Sequence, residues 1–457
     1  MGIRNKLAQY RAYKAGVKHC TFDPEGQGVV RIHLVPPRFN LFRNNSSLLI
    51  LNGYYILPIG YSWSILISEF LDRVNEYSSR ELSAEDVDSI YARTLDAVMS
   101  IFSVDRDSLR RDLDIILDVI FDVAHGVERQ EIQPFSIRSY RRRMTAPHRM
   151  DIAISSMTKC DGSWKCNQRC AFCYAADQPL ASVNELSTEQ WKAVIDKLRR
   201  AGVPMLTFTG GEPTQREDLC ELIEYASWFI TRLNTNGALL TEELCAGLRK
   251  ASLDSVQITL YSSDRDIHNK LVGADNFDAT VQGIRNAISA GLDVSVNTPL
   301  CLANRDYIST LTMLSEIGVR YVTVSGLILS GAATDKAEKY DLTQQELEIV
   351  VSSACNYCKG HSMELDFTSP GLIDPAFLRS LGLRTPICGA ALSNMSIGPD
   401  GTVVPCQSWL REDSGLGNIL TDSWRDIWDN KLCRRLRGMS EAEAAFCPFR
   451  SGNGGVK

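Results

Sequence analysis

The stretch Cys166-Asn167-Gln168-Arg169-Cys170-Ala171-Phe172-Cys173-Tyr174 sets three thiols three and then two residues apart. Such a run can close around three corners of one small cluster, but it cannot supply a fourth ligand itself. A cubane iron–sulfur cluster takes four thiolates, and soft sulfur favours Fe–S or zinc over hard cations. Zinc ribbons favour paired Cys-x2-Cys knuckles, which this spacing matches poorly. The run leaves either an open iron or a ligand to be found elsewhere in the chain.

Around it the pattern is strand, loop, helix, repeated. Residues 152–155 read as a strand that runs into the cysteine loop, and a helix capped by Ser187 follows. Further strands are expected at 205–208, before Asn234, and at 255–260, 293–297 and 321–325, with helices between them. Six consecutive βα repeats predict a parallel sheet curling into a partial (β/α)6 barrel, an α/β fold whose function sits in loops at the carboxyl ends of the strands. The cysteine loop, the turn Thr209-Gly210-Gly211-Glu212-Pro213 and the turn Asn234-Thr235-Asn236-Gly237 all fall at such ends.

The first third of the chain is different. A short basic helix and a glycine turn are expected over residues 1–27, then strands at 29–35, 48–51 and 54–57, the last two joined at Asn52-Gly53. Three helical patterns follow, at 63–74, 87–102 and 107–123, with Ser83 and Asp107 as caps. This makes a small α+β domain with no paired carboxylates and no Cys/His cluster. Residues 126–149 read as a linker with a basic knot (Arg138, Arg141, Arg142, Arg143, Arg149), for which a solvated connector is the plain reading.

With 457 residues, 44% of them hydrophobic, the chain has room for several cores. A net charge of -6 gives no nucleic-acid footprint. No secretory pattern or membrane-length apolar run is evident, so a cytoplasmic protein is expected. Of the fourteen cysteines only Cys20 precedes residue 160, which points to metal or redox chemistry in the remainder.

The three-cysteine loop resembles the signature of the radical S-adenosylmethionine (SAM) superfamily, with its aromatic before the third cysteine. The resemblance covers residues 150–330 as the core. It implies a [4Fe–4S] cluster on Cys166, Cys170 and Cys173 whose open iron is chelated by SAM. It also implies reductive SAM cleavage to a 5′-deoxyadenosyl radical that abstracts hydrogen, with electrons from a donor such as flavodoxin or ferredoxin. Gly210, Gly211 and Glu212 resemble the second family motif, where the carboxylate would meet the SAM ammonium. Phe172 would lie against adenine, and Asn236, Gln257, Thr259 and Asn297 would supply polar contacts. For each of these the plain reading is a turn or strand residue. Cys160 and Cys301 fall in loops at the active face, where either could give a hydrogen atom or a ligand, though the bland reading leads. His268 reads as solvated.

Past a connector at 331–380, residues 381–457 resemble the auxiliary-cluster extension called SPASM, or its shorter twitch form. The resemblance rests on Cys388, on the hairpin 397–406 ending in Cys406, and on Leu416-Gly417-Asn418-Ile419 followed by Trp424 and Trp428. Arg450 stands where a full extension has a cysteine. The resemblance therefore implies one auxiliary cluster, held by Cys388, Cys406, Cys447 and Cys433. Cys355 and Cys358 are either a metal pair or helix packing. Residues 1–125 resemble the PqqD-like peptide recognition element of ribosomal-peptide maturases, in which a leader peptide adds a strand to the sheet edge. A generic winged-helix domain is the alternative.

The expectation is a radical SAM maturase that binds a ribosomal precursor peptide and cross-links, epimerises or excises part of it, with neither nucleic acid nor membrane as partner. The rivals are a radical SAM enzyme acting on a small molecule or folded protein, and a non-catalytic metal-stabilised scaffold.

Overall fold

The computed structural model describes residues 17–22, 30–36, 47–53, 55–77, 82–124, 127, 141 and 144–448. Most of the stretch read as basic helix and turn at the amino terminus, and most of the arginine knot, lie outside them. Contacts divide the chain into one unit of Met1–His148 with Leu198–Pro204, and a second of Arg149–Lys197 with Met205–Lys457.

In the first unit, four described strands form an antiparallel sheet in chain order: β1 (Lys18–Phe22), β2 (Val30–Val35), β3 (Ser47–Leu51) and β4 (Tyr55–Ile59). Strand β1 stands where the sequence reads as basic helix and turn. Its Cys20 pairs with Ile32 and is buried, so pairing with β2 overrides the local helical preference. Asn52 and Gly53 take positive φ, 48° and 68°, at the turn from β3 to β4. The helices Tyr61–Asn75, Ala84–Ile101 and Arg106–Ala124 follow. Their apolar stripes, including Leu66, Leu71, Leu95, Leu113 and Ile120, bury with the sheet in one core. Ser83 and Asp86 close a full capping box, the shorter Asp reaching the Ser83 N–H at 2.9 Å. The last helix is capped by Asp105 rather than Asp107, through the Ser108 N–H.

The second unit is built on one sheet. Strands β5 (Arg149–Ser155), β6 (Met205–Gly210), β7 (Ile230–Thr235), β8 (Ser255–Thr259), β9 (Asp293–Pro299) and β10 (Tyr321–Ser325) run parallel, each beside the next. This is the expected partial barrel. One strand that the sequence reading did not contain, and the hairpin read at 397–406, extend it. Strand β11 (Glu364–Phe367) adds parallel to β10, and β12 (Asn394–Ile397) adds parallel to β5, with β13 (Val403–Val404) antiparallel beyond it. Strand β11 follows β10 in the chain and pairs with it, but β12 joins β5, far back in the chain, so periodicity alone could not assign β12 to that side.

Alternation sorts the strand residues onto two faces. Met150, Ile152, Ile154, Leu206, Phe208, Leu233, Val256, Ile258, Val296 and Val324 are fully buried. The alternate positions are polar: Asp151 and Ser155, Thr207 and Thr209, Asn234, Gln257, Ser295 and Asn297, Thr323. The face that bears the candidate site is therefore a hydrogen-bonding one. Among the described residues no helix is long and apolar enough to cross a membrane.

Candidate iron–sulfur and SAM site

The cysteine loop begins just after β5 and is clamped along its length by backbone. Arg169 N donates to Val272 O at 2.9 Å and Ala171 N to Leu271 O at 2.7 Å, tying the loop to the end of the helix Arg265–Val272. That helix ends at Gly273 in the left-handed region, where a Cβ would stand 2.7 Å from Arg169 O. At the far end Ala332 N donates to Cys173 O at 3.0 Å. A Cβ on Gly331, at φ 58°, would lie 2.5 Å from the same carbonyl and 2.6 Å from Tyr174 O. Lys165, just ahead of Cys166, pairs with Glu185, which also accepts from Ser156 N and pairs with Arg216. None of these clamps was singled out from sequence. Their signals were an unremarkable Gly after a helix and a Gly between Ser330 and Ala332.

The glycines of the turn after β6 serve a close approach between two strand ends. A Cβ on Gly210 (φ 139°) would meet Ser155 O at 2.3 Å, and one on Gly211 would meet Ser156 O at 2.6 Å. They let the end of β6 lie against the end of β5. The Gly211 carbonyl then faces Cys166, whose Sγ donates to it at 3.3 Å. Glu212 is held by several donors within the protein. Its Oε1 accepts from Thr214 N at 3.0 Å and from the Thr214 and Thr235 hydroxyls at 2.6 Å, and its Oε2 accepts from Asn236 N at 2.8 Å. Burial raises its carboxyl above the usual range against the pull of these donors. The carboxylate thus staples the turns after β6 and β7 together. In turn, Asn236 Nδ2 donates to Asn167 Oδ1 at 2.7 Å, joining that staple to the cysteine loop.

The three thiols are mutual neighbours. Burial pushes Cys166 up to about 12, and raises Cys170 and Cys173, with the other thiols of the loop adding to the rise at Cys166 and Cys170. Three buried thiols that repel one another's charge are a poor anionic site alone and a good one around cationic iron. Among the described residues no three His, Cys, Asp or Glu side chains are close enough to share a single metal ion. A cluster of several irons bridged by sulfide gives each thiolate its own iron, which suits a set of three thiols.

Phe172 is buried with Tyr261 and Tyr340, its ring 6.4 Å and 5.4 Å from theirs. Gln257 Nε2 donates to the Thr323 hydroxyl at 3.3 Å, and that hydroxyl donates to Asn297 Oδ1 at 2.9 Å, so a residue not predicted links two that were. Thr259 ends β8, half-buried. Cys301 is fully buried beside Tyr261, while Cys160 is exposed. His268 is not solvated. It lies fully buried in its helix, Nδ1 accepting from Tyr261 N at 3.3 Å, and burial lowers it to about 4.

In the carboxyl-terminal part, burial pushes Cys406 up to about 12, with Cys388 and Cys447 as neighbouring thiols. Cys433 is buried in the helix Lys431–Gly438, and its charged neighbours are Arg437 and Asp429. Of the other three expected auxiliary ligands, Cys388 and Cys447 thus lie near Cys406. Cys355 and Cys358 are both buried on the helix Gln344–Gly360, the packing alternative, with Cys355 Sγ donating to Leu381 O. A small cavity of about 10 Å³, lined by Ser155, Met157, Tyr174, Thr209, Ser396 and Gln407 among others, lies between the turn after β6 and the β12–β13 hairpin.

Comparison with known proteins agrees with this architecture. Residues 165–314 match the radical SAM superfamily, and residues 388–448 match the iron–sulfur cluster-binding domain known as SPASM. The chain is a radical SAM enzyme carrying a SPASM domain. Its cofactors are a [4Fe–4S] cluster, SAM and auxiliary iron–sulfur. The mycofactocin maturase MftC of Mycolicibacterium smegmatis is 28% identical over 291 residues, which are 62% of this chain and 72% of that one. The Fe-coproporphyrin III synthase of Methanosarcina barkeri is 34% identical over 199 residues, 43% of this chain and 48% of that one. Streptococcus suis SuiB, in a crystal structure bound to precursor peptide SuiA, shares the fold with a TM-score of 0.59 at 14% identity, over 86% of this chain and 87% of that one.

Proposed function

We propose that this enzyme matures a ribosomally made peptide. Residues 1–125 bind the leader of the precursor, and a core-peptide residue is presented at the strand ends of the barrel. Cys166, Cys170 and Cys173 hold the first cluster, and the Gly211 carbonyl, rather than the Glu212 carboxylate, receives the SAM ammonium. With its cofactors bound the site supplies a primary carbon radical that takes hydrogen from an unactivated position. The chain's own residues bind, orient and exclude water. Phe172, Asn236, Gln257, Thr259 and Asn297 shape the SAM and substrate surroundings. Cys388, Cys406 and Cys447 hold the auxiliary cluster, and a flavodoxin or ferredoxin donates electrons. Cross-linking, epimerisation and excision are all compatible outcomes of the same abstraction.

The observation that carries this reading is the small antiparallel sheet ahead of the barrel. Among the described residues β4 has no strand on its outer side, and it contains Pro58, which edge strands tolerate and central ones do not. An extended peptide pairing there gains main-chain hydrogen bonds at an edge already present. SuiB, which shares the fold over most of its length, was crystallised with a precursor peptide.

A second reading is favoured by the Fe-coproporphyrin III synthase similarity: a small tetrapyrrole substrate, with the amino-terminal unit serving another partner. One experiment separates the two. The anaerobically reconstituted full chain is incubated with SAM, dithionite and either a short precursor peptide encoded beside its gene or the iron tetrapyrroles from which Fe-coproporphyrin III is made. Mass spectrometry then shows which one changes mass. Change in the tetrapyrrole alone would replace the peptide reading.

A further inference from the structure

We infer that Tyr174 and Gln407 form the contact through which an electron passes between the two iron–sulfur sites, an inference that rests on Cys388, Cys406 and Cys447 holding the auxiliary cluster. Tyr174 follows Cys173 directly, and Gln407 follows Cys406 directly. The Tyr174 hydroxyl donates to Gln407 Oε1 at 3.4 Å. The two cysteine loops are thereby joined by main chain, two side chains and one hydrogen bond. A second tie runs beside it. The Ser330 hydroxyl lies 3.4 Å from Tyr174 O and 3.1 Å from Ser408 O, so it bridges the residue after Cys173 and the second residue after Cys406.

The surroundings suit a fixed path. Cys173, Tyr174 and Cys406 pack against one apolar cluster that includes Met157, Ala175, Trp409 and Leu410. Groups packed against such a cluster keep their separation. Gln407 needs no charge to serve here; an acceptor oxygen in reach of the phenol is sufficient. In the transfer one cluster loses one electron and the other gains it. Tyr174 keeps both its electron and its proton, and is a positioning residue rather than a redox partner.

The test uses the full chain, reconstituted anaerobically, with less than one equivalent of dithionite and no SAM. Freeze-quench electron paramagnetic resonance follows redistribution of the electron between the two cluster signals. Tyr174→Phe keeps the ring and removes the donor, Gln407→Leu removes the acceptor, and Gln407→Glu restores an oxygen there. The expected result is full iron and sulfide content in all three, with redistribution several-fold slower in Tyr174→Phe and Gln407→Leu and restored in Gln407→Glu. Wild-type redistribution in both slowed candidates would overturn the inference. Loss of auxiliary iron from both would overturn it as well, because the pair would then be only a structural brace. A wild-type chain that holds one cluster would remove the auxiliary-ligand reading itself, so the two failures are told apart by the wild-type iron count.

Discussion

The carbonyl oxygen of Cys173 lies 2.5 Å from the point where a side chain would begin on Gly331. The two residues are held in this contact by the Ala332 N–H, which donates to the same oxygen. Gly331→Ala adds a methyl to a left-handed position, at a cost of about 1–2 kcal/mol, and also forces the cysteine loop aside. The expected outcome is a folded chain that takes up less iron at the first site. Iron and sulfide analysis, with circular dichroism as the control for folding, checks it.

Glu212 offers a contrast between a ligand role and a staple role. Glu212→Gln replaces one acceptor oxygen by an amide nitrogen amid three donor residues, Thr214, Thr235 and Asn236. The expected effect is a stability loss of about 1–3 kcal/mol, the usual cost of leaving buried donors unsatisfied. Thermal denaturation of the iron-free chain reads this directly. An unchanged melting temperature accompanied by weaker SAM binding would instead return Glu212 to direct contact with the SAM ammonium.

Separate replacement of the cysteines distinguishes the two sites. Cys166→Ala, Cys170→Ala or Cys173→Ala should abolish 5′-deoxyadenosine formation, whereas Cys388→Ala should leave a cleavage-competent first cluster. Equal 5′-deoxyadenosine from Cys170→Ala and wild type would refute the assignment. Cys433→Ala should retain the auxiliary iron, given its place beside Arg437 and Asp429.

His268 makes the fold sensitive to acid. Burial lowers its imidazole from 6.5 to about 4, so below pH 6.5 the unfolded chain binds the proton more readily than the folded one. The contribution of neutral His268 is whole above pH 6.5 and is lost as pH falls towards about 4, on the order of 3 kcal/mol by that point. His268→Gln should lower stability at neutral pH and flatten this slope. Denaturant titrations of both proteins at pH 7 and pH 5 would show it, and parallel slopes would rule it out.

The barrel and its motifs were legible because their signals are local. A cysteine spacing, a Gly-Gly-Glu turn and helices of regular period each declare themselves within a few residues. What the sequence hid depends on partners far along the chain. Strand β1 is a strand only because β2 pairs with it. Strand β12 joins β5, an edge that nothing near residue 394 announces. Likewise the bonds that Thr235 and Asn236 give Glu212 cannot be read near residue 212, and His268 reads as solvated until the aromatic rings of Tyr261 and Phe277 are placed against it. The clamps at Gly273 and Gly331 escaped notice because a glycine's reason lies in the backbone it meets.

The parallel pairing of β12 with β5 also bears on how the protein is made. The first strand of the barrel emerges from the ribosome long before the strand that covers its outer side. Until residues 394–397 arrive, β5 presents an open row of backbone donors and acceptors, the kind of edge that invites pairing between nascent chains. A chain cut before residue 394 should therefore collect in aggregates, and insertion of iron into the first site should follow synthesis of the last domain rather than accompany synthesis of the first.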